Sequence, residues 1–166
     1  MVASILRSLK GADYARKFQM HDAGVALLKQ IYLSPQPIVF TVTGYVVAMG
    51  ALLTLAGDMR VGLSGNFRIG LNETSIGLAL PATGLELARD RLAPAIFQRA
   101  TINAELFSPE DAVLAGYLDR VVDTLAFDSA IVQASETLAM LDLDAFAETK
   151  RRVRQSTLDR IAALES

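Results

Sequence analysis

Residues 38–56 read Ile38-Val39-Phe40-Thr41-Val42-Thr43-Gly44-Tyr45-Val46-Val47-Ala48-Met49-Gly50-Ala51-Leu52-Leu53-Thr54-Leu55-Ala56 and carry no charge. Two periods meet in this stretch. Residues 38–43 are β-branched or aromatic throughout, the pattern of a strand buried on both faces. Residues 48–56 are small or aliphatic and long enough for a short buried helix. The turn between them falls at Gly44-Tyr45. A strand, a glycine turn and an apolar helix are what the interior of an α/β protein requires. The uncharged span as a whole runs from Gln30 to Gly57 and has the length of a membrane crossing. Pro35, Pro37, Gly44 and Gly50 interrupt it, which favours a buried core over a small membrane protein built on residues 30–57. Simple fractionation of the expressed chain discriminates the two.

The rest of the chain suits one core. It has 166 residues and 17.9 kDa, about one domain on a length scale of roughly 150 residues. Apolar residues are 52% and charged residues 20%, so it is globular rather than disordered. Sixteen basic against 18 acidic side chains give a net charge of −2, without the basic footprint of a nucleic-acid binder. With no cysteine, disulfides, thiolate metal sites and cysteine nucleophiles are excluded. That composition is compatible with a reducing compartment, and the expected location is the cytoplasm. The one histidine, His21, beside Asp22, leaves a His-based metal cluster or a Ser-His-Asp triad with almost nothing to draw on. No metal site is expected. Arg7 and Lys10 interrupt the N-terminus, so it does not read as a secretory leader.

Outward from the central stretch, a helix follows Gly11-Ala12-Asp13, with Asp13 as its N-cap, and stops at Ser34-Pro35-Gln36-Pro37. Strands are expected at 58–62, 67–69 and 118–122. Residues 70–83 form a polar, glycine-bearing stretch. Helices are expected from Thr83 to about Leu92, from Pro94, and from Ser108 with proline at the first helical position and Gly116 as terminator. Residues 128–165 read as helical with a break at 141–143. The basic run Lys150-Arg151-Arg152-Val153-Arg154 reads as a solvated helix face; contact with an anionic phosphate is the alternative.

Several short motifs, in order over about residues 11–125, resemble the enoyl-CoA hydratase/isomerase (crotonase) superfamily. Thr43-Gly44-Tyr45 through Gly50 is similar to its strand, Asn-Gly-Tyr and glycine-rich turn. Asp58-Met59-Arg60-Val61 is similar to its Asp-Ile-Arg-Ile strand, and Phe67 to Glu73 to its Phe-Gly-x-Pro-Glu segment. Ser108 to Ala112 and Leu114 to Val122 resemble its C-terminal Glu-Ala…Gly-Leu-Val block. The resemblance implies an α/β fold of the ClpP/crotonase type: a core of strands with stacked helices over 1–125, then a helical region over 126–166. It also implies a longer N-terminus in the family, so the chain is expected to be N-terminally truncated, beginning at the end of the family's first oxyanion-hole loop.

What the resemblance implies for chemistry is specific. Family members bind acyl-CoA thioesters and stabilise an enolate on the thioester oxygen with two backbone N–H groups. One maps onto Met49, flanked by Ala48 and Gly50; the other belongs to the absent loop. Glu73 maps onto the family's catalytic carboxylate. The second carboxylate of its hydratases maps onto Leu52, which cannot activate water. The expected activity is therefore double-bond isomerisation with Glu73 as proton shuttle. Alternatives are an enoyl-CoA hydratase, or a catalytically incomplete remnant with an assembly or CoA-binding role. No cofactor is expected, coenzyme A being part of the substrate. The expected partners are the acyl-CoA thioester and further copies of the chain in a homotrimer or hexamer, with neither nucleic acid nor membrane. Asn72 and Thr74 stand beside Glu73 and are candidates to orient it.

Overall fold

The computed structural model describes residues 14–165, with side-chain surroundings for 22–164. Asp13, the expected N-cap, lies outside the described residues. The elements run α1 (Tyr14–Leu33), β1 (Val39–Val42), β2 (Val46–Val47), α2 (Met49–Ala56), β3 (Met59–Leu63) and β4 (Ile69–Gly70). After a 3-10 turn at Thr74–Ile76 come α3 (Ala82–Arg91), α4 (Phe97–Thr101), α5 (Pro109–Ala115), β5 (Arg120–Val122), α6 (Phe127–Ala139) and α7 (Leu143–Glu165).

The central strand and helix form as the sequence indicates. β1, β3 and β5 make a parallel sheet in the order β1-β3-β5, with Val39 opposite Met59 and Val61 opposite Arg120. Parallel strands need covering on both faces, and two apolar clusters provide it. On one side Val42 joins Leu28, Tyr32, Leu52, Leu55, Leu87 and Leu118. On the other Val61 packs with Ala130 and Ala134 of α6.

The differences from the sequence reading have local causes. Val46–Val47, expected within the approach to the helix, is a strand because it pairs with Ile69–Gly70 in a second parallel ladder. The strand expected at 67–69 accordingly sits at Ile69–Gly70. The helix expected from Pro94 begins at Phe97, since Ala93 O first accepts from Ile96 N and Phe97 N in a turn. Ser108 caps α5 by accepting from Asp111 N, and Gly116 ends it in the left-handed region at φ 94°. The break at 141–143 is present: Asp142 Oδ1 accepts from Ala145 N at 2.8 Å and starts α7.

The basic run on α7 is not uniformly solvated. Arg151 and Arg152 face water and pair with Glu148. Lys150 and Arg154 are buried, and both reach the buried Asp58 carboxylate, at 2.7 and 2.9 Å. Asp58 also accepts from Ile38 N at 2.9 Å, and Arg154 donates to the Tyr32 carbonyl. Farther along, Arg160 donates to Glu86 Oε2 at 2.6 Å. Ion pairs thus fasten α7 to α3 and to the start of β3.

Candidate active site

The β2–β4 ladder sets the site. Val47 stands opposite Gly70, and Ala48 N donates to Gly70 O at 3.1 Å. The two strands are parallel, so the chain leaves both at the same end. From β2 it turns at Ala48 into α2, whose first residue is Met49. From β4 it passes Leu71 and Asn72 to Glu73. Antiparallel bonds Ile69 N to Phe107 O (3.0 Å) and Phe107 N to Ile69 O (2.9 Å) pin β4 from its other side.

The first N–H groups of a helix have no partner one turn back, and the helix end carries partial positive charge. Met49 and Gly50 present such groups. Ala48 enters the helix at φ 53°, ψ −127°, a conformation that disfavours a Cβ and costs of order 1–3 kcal/mol. Substitution Ala48→Gly is therefore expected to raise the denaturant midpoint, by an amount equivalent to about 1 kcal/mol. The Met49 side chain has its room against Gly24 of α1: a Cβ there would fall 2.9 Å from Met49 Cε.

Glu73 is 7% exposed. Its carbonyl accepts from Ile76 N and Leu78 N, both at 3.0 Å, which ties the backbone of the turn. Its carboxyl oxygen Oε2 is buried without a hydrogen-bond partner. Burial pushes the Glu73 carboxyl above the ordinary carboxylate range, against the smaller opposing effect of its own backbone amide. Thr74 does not orient the carboxylate: its hydroxyl donates to the carbonyls of Thr101 and Ile102. Asn72 Oδ1 is a second buried atom without a partner.

Leu52 is 1% exposed and fills the space over Gly84, where a Cβ would stand 2.9 Å from Leu52 Cδ1. Gly84→Ala is expected to cost about 1–3 kcal/mol by overpacking, measured by chemical denaturation. His21 lies on α1, with its side chain outside the described surroundings. A cavity of about 440 Å³ between α6 and α7 has Asp58, Lys150 and Phe146 in its wall and shares no lining residue with Met49 or Glu73. Among the described residues no group of three His, Asp or Glu could hold a metal, and no helix is long and apolar enough to cross a membrane. The sequence reading missed Tyr117, a fully buried phenol whose hydroxyl lacks a partner. The signal for it is a phenol inside the otherwise aliphatic stretch Leu114 to Leu118.

A buried carboxyl, at Glu73, and the opening turn of a helix, at Met49, thus follow the two paired strands at the same end of one β-ladder. The chain belongs to the enoyl-CoA hydratase/isomerase family, whose model matches residues 6–165. Members of that family are enoyl-CoA isomerases and hydratases. Among solved structures, an enoyl-CoA hydratase/isomerase family protein from Pseudomonas syringae is 37% identical with a TM-score of 0.89, covering 95% of this chain and 68% of its own. A probable enoyl-CoA hydratase from Mycobacterium tuberculosis is 33% identical with a TM-score of 0.88, covering 96% and 67%. Human mitochondrial enoyl-CoA delta isomerase 1 is 29% identical over 134 residues, 80% of this chain and 44% of that protein. The chain spans less than half the length of the curated relatives it matches.

Proposed function

We propose that the chain acts on enoyl-CoA thioesters and moves their double bond, with Glu73 as the proton shuttle. One observation carries this reading: Glu73 is buried, its carboxyl oxygen Oε2 has no hydrogen-bond partner, and its segment leaves the ladder at the same end as the Met49 amide. With a 3-enoyl thioester bound, Glu73 takes a proton from C2. The C–H electron pair moves into the thioester and places negative charge on its oxygen, facing the Met49 N–H with Ala48 and Gly50 shaping the turn. The protonated Glu73 then returns its proton to C4, and the double bond moves from C3–C4 to C2–C3. A carboxyl whose proton affinity is raised by burial suits both steps, because it takes up a proton more readily than an exposed carboxylate and can still return it.

Leucine at position 52 supports isomerisation over hydration, since it offers no second group to activate water. Purified protein is expected to interconvert 3-enoyl- and 2-enoyl-CoA without adding water to crotonyl-CoA. Water addition with no bond migration contradicts the assignment. A second reading is thioester binding without turnover, favoured by the fact that the amide donors identified among the described residues all lie on one turn, at the start of α2; binding of a saturated acyl-CoA with no chemistry on any enoyl-CoA is its signature. Coenzyme A is part of the substrate, and no separate cofactor is proposed. Leu125, Met140 and Leu114 are each more than three-quarters exposed, which supports assembly as a homotrimer or hexamer. Light scattering is expected to return three or six chains, and a monomer at micromolar concentration contradicts it. The cysteine-free composition supports a reducing, cytoplasmic setting.

A further inference from the structure

The cavity between α6 and α7 lies away from Met49 and Glu73. Its volume of about 440 Å³ falls in the range of small-molecule sites, about 300–1,000 Å³. It borders the C-terminal end of α2. There Arg91, the last residue of α3, donates through Nε to Leu55 O at 3.1 Å and through Nη2 to Gly57 O at 3.0 Å. Met49 opens the same helix, about 10 Å back along its axis at 1.5 Å per residue.

One part of the cavity wall is cationic. Arg91, Lys150 and Arg154 line it, and the carboxylates in the wall are Asp58 and Asp142, so three positive charges meet two negative ones. Asp142 is exposed, and its Oδ1 accepts from Ala145 N. Asp58 holds both Lys150 and Arg154. Arg154 further donates to the Tyr32 and Ala56 carbonyls. Lys150 and Arg91 keep donors to spare. The Lys150 side chain is 6% exposed, and an ammonium has three protons to give. One goes to Asp58 Oδ2 at 2.7 Å, and the other two find no acceptor among the described residues. Arg91 Nη1 likewise donates to none of them. The two cations are anchored on adjacent residues, Arg91 on Gly57 and Lys150 on Asp58. The remaining wall is apolar: Leu138 and Leu141 at the end of α6, Phe146 and Val153 on α7. Lys150 Nζ stands 5.4 Å from the centre of the Phe146 ring, so the charged and apolar parts adjoin.

We propose that this cavity binds a small monocarboxylate with an apolar tail, such as a medium-chain fatty acid. The carboxylate accepts from the Lys150 ammonium beside Arg91, and the tail lies against Leu138, Leu141, Phe146 and Val153. Buried donors without acceptors are uncommon, and a charge-assisted bond to a carboxylate satisfies them. A surplus of one positive charge in the wall matches one carboxylate; a phosphate dianion would overshoot it. The site does not depend on the reading of Glu73.

The test uses the whole chain with carbon-13 in leucine, valine and methionine methyl groups, titrated with octanoate and followed by NMR. The Leu138, Leu141 and Val153 signals are expected to shift together to one saturation point, with Met49 unmoved. Acetate lacks the tail and 1-octanol lacks the charge; each is expected to bind about tenfold more weakly or worse. Octyl phosphate is expected to bind no tighter than octanoate. Lys150→Met removes the ammonium. Ala145→Trp, at an exposed residue of α7 that lines the cavity, fills the space and leaves every ion pair in place. Both variants are expected to weaken octanoate binding about tenfold or more. Shifts at Met49 with Leu138, Leu141 and Val153 unmoved overturn the proposal, and so does undiminished affinity in folded Ala145→Trp. Tighter binding of octyl phosphate overturns the choice of a monocarboxylate. If neither variant folds, equal affinity of the unmutated protein for octanoate and 1-octanol overturns the proposal.

Discussion

Glu73→Gln is expected to lower enoyl-CoA isomerisation by about 10²–10⁴-fold, the range that a positioned acid–base group contributes. The glutamine keeps the size of the side chain and its place in the turn, so thioester binding is expected to persist. The loss then falls on kcat and on kcat/KM alike, the signature of an interaction used in the transition state. Stability is expected to move the other way. The folded-state pKa of Glu73 is raised by burial, so between the ordinary carboxylate pKa and the raised one the folded chain holds a proton that the unfolded chain has released. Folding stability therefore falls as pH rises through that window. Glutamine has no charge to bury. The variant is expected to melt higher than the unmutated protein at neutral pH, with the gain shrinking toward pH 4. Equal melting temperatures at both pH values would count against a strained carboxylate.

Asp58→Ala is expected to destabilise the fold by about 3–5 kcal/mol. It strips the counter-charge from two buried cations at once, Lys150 and Arg154. It also leaves Ile38 N without its acceptor. Glu148→Ala is the control. It removes a carboxylate from two cations on the same helix, Arg151 and Arg152, but these stand in water, and exposed pairs contribute about 0–1 kcal/mol. Chemical denaturation of the two variants separates the fastening role of Asp58 from a general effect of charge. Comparable losses in both would contradict it.

The residues that the sequence made legible are those whose reason is local. The uncharged run 38–56, punctuated by Gly44, announces its strand and helix. Ser108-Pro109 and Gly116 announce the ends of α5 by their own capping chemistry. What was not legible depends on distant partners. Val46–Val47 is a strand only because residues 69–70 lie beside it, and two residues carry no period of their own. Lys150 and Arg154 are four apart, one turn of helix, and so share a face. Nothing near them in sequence says that the face is buried, because Asp58 is 92 residues away. The site divides in the same way. The order of short motifs singled out Glu73 and Met49, and the β2–β4 register brings their segments to one end of a ladder. Tyr117 escaped notice because its interest lies in an unpartnered hydroxyl, which belongs to the packing and not to the sequence.

Hydrogen exchange on a bound thioester tests the proton-shuttle account most directly. In deuterium oxide, the unmutated protein is expected to place deuterium at C4 of the 2-enoyl product formed from 3-enoyl-CoA, and to wash label into C2 of recovered 3-enoyl substrate. Glu73→Gln is expected to do neither while still binding the thioester. Exchange at an undiminished rate in the variant would mean that another group, not the carboxylate at position 73, moves the proton.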